Sequence, residues 1–167
     1  GSGDDFIDGG TGVDDLLSYE NAGFGVTVDL ELSGPQTIVM LAGAPRQNEI
    51  FGIEHLTGTV FDDDLRGSFL ANSLFGLGGD DVLYGSNGSN LLNGGSGNDT
   101  LISGFGDDSV FGGAGIDMHS FALSNVGVAA ALYQGTATGA NIGTDTWSEV
   151  EGLIGSAHDD HLGGWML

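Results

Sequence analysis

Large apolar residues recur every nine positions through the middle of the chain. Each of them lies two positions after an acidic or amide residue, and glycines fill much of the space between. A nine-residue period matches neither the 3.6-residue period of a helix nor the long alternation of an ordinary strand. It predicts one short strand per nonapeptide, with the eighth residue directed into a core. The eighth-place residues are Leu65, Leu74, Leu83, Leu92, Leu101, Val110 and His119.

The sixth place of the same nonapeptides is always acidic or an amide. Seven consecutive units keep one frame: Gly58–Arg66, Gly67–Phe75, Gly76–Tyr84, Gly85–Asn93, Gly94–Ile102, Ser103–Phe111 and Gly112–Ser120. Their sixth residues are Asp63, Asn72, Asp81, Asn90, Asp99, Asp108 and Asp117. The unit Gly94–Ile102 reads GGSGNDTLI, which has the form GGxGxDxUx, where U is a large apolar residue. One such unit arises by chance in a glycine-rich loop, whereas seven in register are a specific signal.

Partial units flank this block. Asp5 and Ile7 take the sixth and eighth places before Gly9, and Asp160 and Leu162 take them near the end of the chain. We assign Asp14 and Leu16 to these places in the unit Gly9–Leu17.

Two stretches interrupt the nonapeptides and resemble each other. Val26, Val28 and Leu30 alternate with polar residues, which predicts a half-buried strand. The later segment 127–132 echoes 25–30, and 150–155 echoes 53–58. A second period of about 100 residues is therefore nested over the first, as in solenoids and arrays, with the first insert about five residues longer. Residues 45–49 are polar and predict a loop.

This pattern divides the chain into five segments. They are the end of a preceding nonapeptide block (1–19), a β insert (20–57), the central block of seven nonapeptides (58–121), a second β insert (122–154) and the start of a following block (155–167).

Composition sharpens the functional prediction. Two Lys and Arg stand against 24 Asp and Glu, for a formal net charge of −22. Nucleic acid and anionic membranes are excluded as partners, because both need a basic surface. Hydrophobic residues make up 40% of the chain, which argues against disorder. The regular spacing of the Asp residues favours neutralisation by bound cations over a merely solvated acidic surface. No apolar run is long enough for a membrane span.

No catalytic constellation is present. Ser, His and Asp occur without a nucleophile elbow, HExxH is absent, and no carboxylate pair can be separated from the repeating Asp residues. We therefore predict no enzyme activity and no catalytic residue. Cysteine is also absent, so no disulfide stabilises the fold, and a metal is the usual replacement in a small extracellular domain.

These nonapeptides resemble the RTX (repeats-in-toxin, haemolysin-type) calcium-binding repeats. The resemblance implies an all-β fold, a parallel β-roll or β-solenoid in which two nonapeptides complete one circuit, here with β-strand inserts. It also implies type I secretion and folding outside the cell. Alternate repeats then stack, which separates the sixth-place residues into two ladders. Ladder A holds Asp63, Asp81, Asp99 and Asp117, and ladder B holds Asn72, Asn90 and Asp108.

The resemblance further implies calcium ions between successive rungs. Ladder A would hold three, at Asp63/Asp81, Asp81/Asp99 and Asp99/Asp117. The turn carbonyls that complete these sites would come from Gly79, Gly95, Gly97, Gly113 and Gly115. Stacked carboxylates about 4.8 Å apart repel by about 3–4 kcal/mol at an effective dielectric of ~20, so the ladder should not form without cations. The Asp63 site is the weakest, because Phe61 replaces a glycine of the motif.

Ladder B is less acidic. Asn72 and Asn90 predict an uncharged step without a metal. For Asn90/Asp108 two alternatives remain, no ion or one ion held with Gly88, Gly104 and Gly106. Asp5, Asp14 and Asp160 would be ligands only if neighbouring modules continue the stack.

Two functional hypotheses follow. The first is a calcium-binding structural module of a larger secreted or cell-surface bacterial RTX protein, whose partners are calcium and neighbouring modules of the same chain. The alternative is a module for glycan or protein adhesion, appended to an extracellular enzyme or adhesin. Acidic glycans are disfavoured by the negative charge. The ninth-place residues Phe75, Tyr84, Ile102 and Phe111 should point outward, where either the inserts cover them or they form a docking stripe.

Overall fold

The computed structural model describes residues 5–31, 35–38 and 46–164, and these are almost entirely β-structure. One short 3₁₀ helix, Leu132–Gln134, is the sole helical element among them. The strands are β1 (Phe6–Asp8), β2 (Leu16–Ser18), β3 (Thr27–Asp29), β4 (Pro35–Ile38), β5 (Arg46–Phe51), β6 (His55–Thr57), β7 (Asp64–Arg66), β8 (Ser73–Gly78), β9 (Val82–Tyr84), β10 (Leu91–Ser96), β11 (Thr100–Ile102), β12 (Ser109–Ala114), β13 (Met118–Ser120), β14 (Ala129–Ala131), β15 (Thr136–Gly139), β16 (Gly143–Ser148), β17 (Gly152–Ile154) and β18 (His161–Gly163).

The central block winds between two sheets. β6, β8, β10 and β12 are neighbours in a nine-stranded sheet, and β7, β9, β11 and β13 are neighbours in a six-stranded sheet. All their pairings are parallel with a register of 18 residues, so that Leu92 lies between Leu74 and Val110. Two nonapeptides therefore complete each circuit. The fold is a parallel β-roll, as predicted.

The core lies between these sheets, and the eighth-place residues form its central column. From Leu65 to His119 each of the seven is fully buried. Leu56 precedes the series by nine residues, is equally buried, and pairs with Leu74 through β6 and β8. Every coil thus contributes one apolar side chain from each sheet, and burial of this column gives the roll its hydrophobic stability.

The predicted 100-residue period is present in three dimensions. β3 pairs with β7 and β14 pairs with β18, both in parallel. The amide of Val26 donates to Asp63 Oδ1 at 2.6 Å, and that of Val128 donates to Asp160 Oδ1 at 2.9 Å. Val128 follows Val26 by 102 residues but Asp160 follows Asp63 by 97, which confirms that the first insert is five residues longer.

The frame assigned to the first complete nonapeptide was wrong by one residue. Leu17 rather than Leu16 pairs with Leu56 and packs against the core, and Leu16 is 61% exposed. Asp15 rather than Asp14 therefore takes the sixth place. The adjacent pairs Asp-Asp and Leu-Leu fit either frame in the sequence, and only the packing against β6 selects one.

The predicted loop at residues 45–49 was also wrong where the structure describes it. Residues 46–51 form β5, which is parallel to β1 and antiparallel to β4. Asn48 is buried, and its Oδ1 accepts the backbone N–H of Asp5 at 2.9 Å. Backbone pairing on both sides thus overrides the polar composition of this segment.

Candidate metal centre

Acidic side chains and backbone amides of successive coils are linked along ladder A. Oδ1 of Asp81 accepts the backbone N–H of Asp63, Oδ1 of Asp99 that of Asp81, and Oδ1 of Asp117 that of Asp99, each at 2.8 Å. Each bond joins residues 18 positions apart, so the turn of one coil orients the carboxylate of the next. One oxygen of each carboxylate is thereby fixed.

The second oxygen of these carboxylates has no donor. Oδ2 of Asp81, Asp99 and Asp117 is buried without a hydrogen-bond partner, and so is Oδ2 of Asp108 on ladder B. Burial raises the pKa of Asp81 to about 8, that of Asp99 to about 6 and that of Asp108 to about 7. A buried, unpaired carboxylate oxygen is strongly unfavourable unless a proton or a cation neutralises it.

Asn90 occupies the same place in its turn as these Asp residues, so its side-chain amide shows what surrounds the second carboxylate oxygen. Its Oδ1 accepts the N–H of Asn72 at 2.9 Å, just as the Asp residues do on ladder A. Its Nδ2 donates to the carbonyl oxygens of Asn87 at 3.2 Å and Gly88 at 3.0 Å, both in its own turn.

The Asp turns place an oxygen where Asn90 has its Nδ2 group. A Cβ added to Gly85 would meet Asn90 Nδ2 at 2.9 Å, and a Cβ added to the first glycine of the Asp81 or Asp99 turn would meet the Oδ2 atom. By analogy with Asn90, we infer that Oδ2 of an Asp turn faces the carbonyl oxygens of that turn, and it has no donor. A hard cation such as calcium prefers that ligand chemistry, so the residues present fit the ion.

The glycines predicted to supply carbonyls all have left-handed backbones. Their φ values run from 86° to 150°, and they occupy the second and fourth places of the turns. They are Gly79, Gly88, Gly95, Gly97, Gly104, Gly106, Gly113 and Gly115. Leu77 (φ 78°) and Ser86 (φ 69°) adopt the same conformation at the second place despite their side chains. The turns therefore keep one shape even where glycine is missing.

Three other turns satisfy their sixth residue without any ion, and each has Ser or Thr at the second place. The N–H of Thr59 donates to Asp63 Oδ2 at 2.6 Å, and that of Ser68 donates to Asn72 Oδ1 at 2.7 Å. In the third, Ser156 N–H donates to Oδ2 of its sixth-place Asp at 2.8 Å. Both carboxylate oxygens of Asp63 accept backbone N–H groups, whereas the Asp81, Asp99 and Asp117 carboxylates each keep one free.

Two insert residues extend the ladders, and the nonapeptide pattern did not predict them. Glu151 lies above Asp117, and its Oε2 accepts that residue's N–H at 2.8 Å. Asp145 lies above Asp108, and its Oδ1 accepts the N–H of Asp108 at 3.1 Å. Neither lies in a complete nonapeptide. The available signal was the spacing of Asp145 between Gly143 and Trp147, which matches GxDxU.

No three His, Cys, Asp or Glu side chains converge as a metal cluster anywhere in the described part of the chain. Any ion on the ladders must therefore combine one or two carboxylates with backbone carbonyls, as the turn geometry allows.

Comparison with protein families agrees with this geometry. The family model for the RTX calcium-binding nonapeptide repeat matches four copies, over residues 1–18, 57–92 and 84–118. The chain carries RTX calcium-binding nonapeptide repeats. Repeats of this family bind calcium and serve as structural modules, which confirms calcium as the ligand. No curated protein gives a significant match.

The RTX repeats do not arrange their ninth-place residues as one stripe. Phe75 and Phe111 lie on the nine-stranded sheet, whereas Tyr84 and Ile102 lie on the six-stranded sheet. Phe111 is 40% exposed, Ile102 is buried, and the guanidinium of Arg66 lies 4.3 Å from the centre of the Tyr84 ring. The described residues also include no helix long and apolar enough to cross a membrane.

Proposed function

We propose that this chain is a calcium-dependent structural module of a larger secreted or cell-surface bacterial protein, and that it folds when it binds calcium outside the cell. RTX repeats typically occur in secreted proteins. The observation that carries the proposal is the set of five buried sixth-place Oδ2 atoms without donors, in the turns of Asp15, Asp81, Asp99, Asp108 and Asp117. Its partners would be calcium ions and neighbouring modules of the same chain.

On ladder A the ions would lie at the Asp81/Asp99 and Asp99/Asp117 steps, with carbonyl ligands from the left-handed glycines of those turns. The Asp63/Asp81 step would bind most weakly. Asp63 already accepts N–H groups at both oxygens, so it has less to gain from a cation than Asp99.

On ladder B the Asn72/Asn90 step would need no ion. The amide of Asn90 already donates to Gly88 O, which leaves that carbonyl less available for an ion shared between Asn90 and Asp108. Asp108, with an unpartnered Oδ2 in a turn that contains Gly104 and Gly106, supports one ion in its own turn.

Calcium would couple binding to folding because the ladders exist only in the wound coil. Without cations the fold must bury five unpaired carboxylate oxygens, and each costs on the order of 1–3 kcal/mol or more. That total rivals the whole stability of a small domain. We expect folding at ~0.1–1 mM calcium, the range of extracellular modules.

Far-UV circular dichroism during a calcium titration tests the proposal. Strand signal should be low in chelator and should rise cooperatively with calcium. Magnesium at equal concentration is the matched control and should be much less effective, because it demands stricter octahedral geometry. Full strand signal in chelator would overturn the proposal.

A further inference from the structure

We propose that the second insert completes a calcium site with Asp108 by supplying the second half of a nonapeptide. The half-repeat is Gly143–Ser148, and its acidic residue is Asp145. The inference rests on the proposed function, since it names a second carboxylate for the ion in the Asp108 turn, from a segment outside the residues that the family model matches.

The sequence and register of this segment are those of a repeat. Gly143–Ser148 reads GTDTWS, which corresponds to places four to nine of GGxGxDxUx. It forms β16, which pairs in parallel with β12 and places Trp147 beside Val110, in the eighth place. Trp147 is 8% exposed and belongs to the core. Gly143 has a φ of 71°, as the fourth place requires.

The hydrogen bonds also reproduce a rung of the ladder. Asp145 Oδ1 accepts the N–H of Asp108 at 3.1 Å, as each ladder residue does for the coil before it. One place earlier, Thr144 N–H donates to Asp107 Oδ1 at 2.8 Å, which matches the bond from Asn98 N–H to Asp80 Oδ1 at 2.7 Å. β16 forms an antiparallel hairpin with β15. This strand therefore occupies the position of a coil, although the first half of its nonapeptide is missing.

Two buried carboxylates meet at this step, and one of their four oxygens lacks a donor. Asp108 is 1% exposed and Asp145 is fully buried. Asp108 Oδ2 has no partner, and the hydroxyl of Ser103 donates to Asp145 Oδ2 at 3.1 Å. A Cβ on Gly143 would meet the carbonyl oxygen of Gly106 at 2.8 Å, so the two turns are in close contact. Two buried carboxylates and turn carbonyls form a ligand set for calcium.

The first insert offers an internal contrast. Asn48 there takes the position of Asp145, and its Oδ1 accepts the N–H of Asp5 at 2.9 Å. In the first copy of the 100-residue repeat, the insert therefore contributes a neutral amide to this step. In the second copy the insert contributes a carboxylate, Asp145. The ion would tie the β15–β16 hairpin to the central roll.

Counting bound calcium on the full chain by native mass spectrometry tests the inference. Asp145→Asn should bind one ion fewer than the wild type, and Asp108→Asn should also lose one. The double variant should again lose only one, because both carboxylates serve the same ion. Asp159→Asn, which alters an exposed carboxylate outside both ladders, is the control and should keep every ion.

The outcomes separate the two proposals. A wild-type chain that binds no calcium would refute the proposed function. An Asp145→Asn chain with full strand signal and the wild-type count, or a double variant that loses two ions, would refute the shared site alone. If Asp145→Asn does not fold, Ser103→Ala replaces it. This milder change removes the donor that competes with the ion for Asp145 Oδ2, so it should lower the dissociation constant of a single ion about fivefold, the worth of one hydrogen bond. Unchanged affinity for all ions would also refute the shared site.

Discussion

Asp99→Asn should stabilise the calcium-free chain while it removes calcium binding at that turn. The chain already contains this arrangement at Asn90, whose Oδ1 accepts the N–H of the preceding coil and whose Nδ2 donates to two carbonyls of its own turn. An asparagine at position 99 would keep the bond from Asp81 N–H, and its Nδ2 would face the carbonyls of Ser96 and Gly97.

The expected magnitudes follow from the partners of each atom. Removing a buried oxygen without a donor relieves about 1–3 kcal/mol, and two new hydrogen bonds add about 1 kcal/mol each. The free energy of unfolding in chelator should therefore rise by about 3–5 kcal/mol. Asp99 lies at two of the proposed steps, and each ion lost there costs about 2.7 kcal/mol when calcium is at 100 times its dissociation constant. The two effects nearly cancel at saturating calcium.

Urea unfolding followed by circular dichroism, in chelator and in saturating calcium, measures both quantities. Asn90→Asp is the reciprocal variant, and it should be less stable than the wild type in chelator and more dependent on calcium. Asp99→Ala is the second control. It removes the acceptor of the Asp81 N–H as well as the free oxygen, so it should lose stability in calcium without the gain in chelator.

Lower stability of Asp99→Asn than of the wild type in chelator would refute this prediction, and so would an unchanged response to calcium. Either result would mean that Asp99 Oδ2 does not face the turn carbonyls as Asn90 Nδ2 does.

Three further predictions concern single residues. Leu77→Gly should raise the urea midpoint in calcium by the equivalent of about 1 kcal/mol. The left-handed backbone at φ 78° costs a non-glycine residue about 1–2 kcal/mol, and the greater unfolded-state entropy of glycine offsets only part of the gain. Leu77→Ala is the control and should bring no such gain. His119→Leu should stabilise the roll by about 1–3 kcal/mol in the same assay, since both ring nitrogens are buried without partners. A loss of stability would show that the ring contacts of His119 with Phe121 and Trp147 dominate. The calcium midpoint should rise as the pH falls from 8 to 5, because burial raises the pKa of Asp81 from 3.8 to about 8 and calcium must displace its proton. The same shift makes the calcium-free fold lose stability as the pH rises from about 4 to 8, and a midpoint independent of pH would contradict both statements.

The repeats were predictable because their information is local. The second and fourth places need a left-handed backbone, and the eighth needs an apolar side chain, so nine residues suffice to recognise a unit. The eight predicted glycines accordingly have the expected φ, and Leu65 and its successors are buried. Phe61, which replaces a glycine of the motif, correctly indicated a different turn. The sequence did not predict the hydrogen bonds from the N–H groups of Thr59 and Val26 that hold Asp63 there.

The amino-acid sequence by itself determined the period, the two faces of the roll and the acidic edge, because each depends on residues within one nonapeptide. Only the tertiary structure decided the frame of the first unit, which carboxylate oxygens lack a hydrogen-bond partner, and the extension of the ladders to Asp145 and Glu151. Those features depend on which backbone amide lies opposite a side chain 18 to 37 residues away. Winding the coil sets that distance, and no window of nine residues contains it.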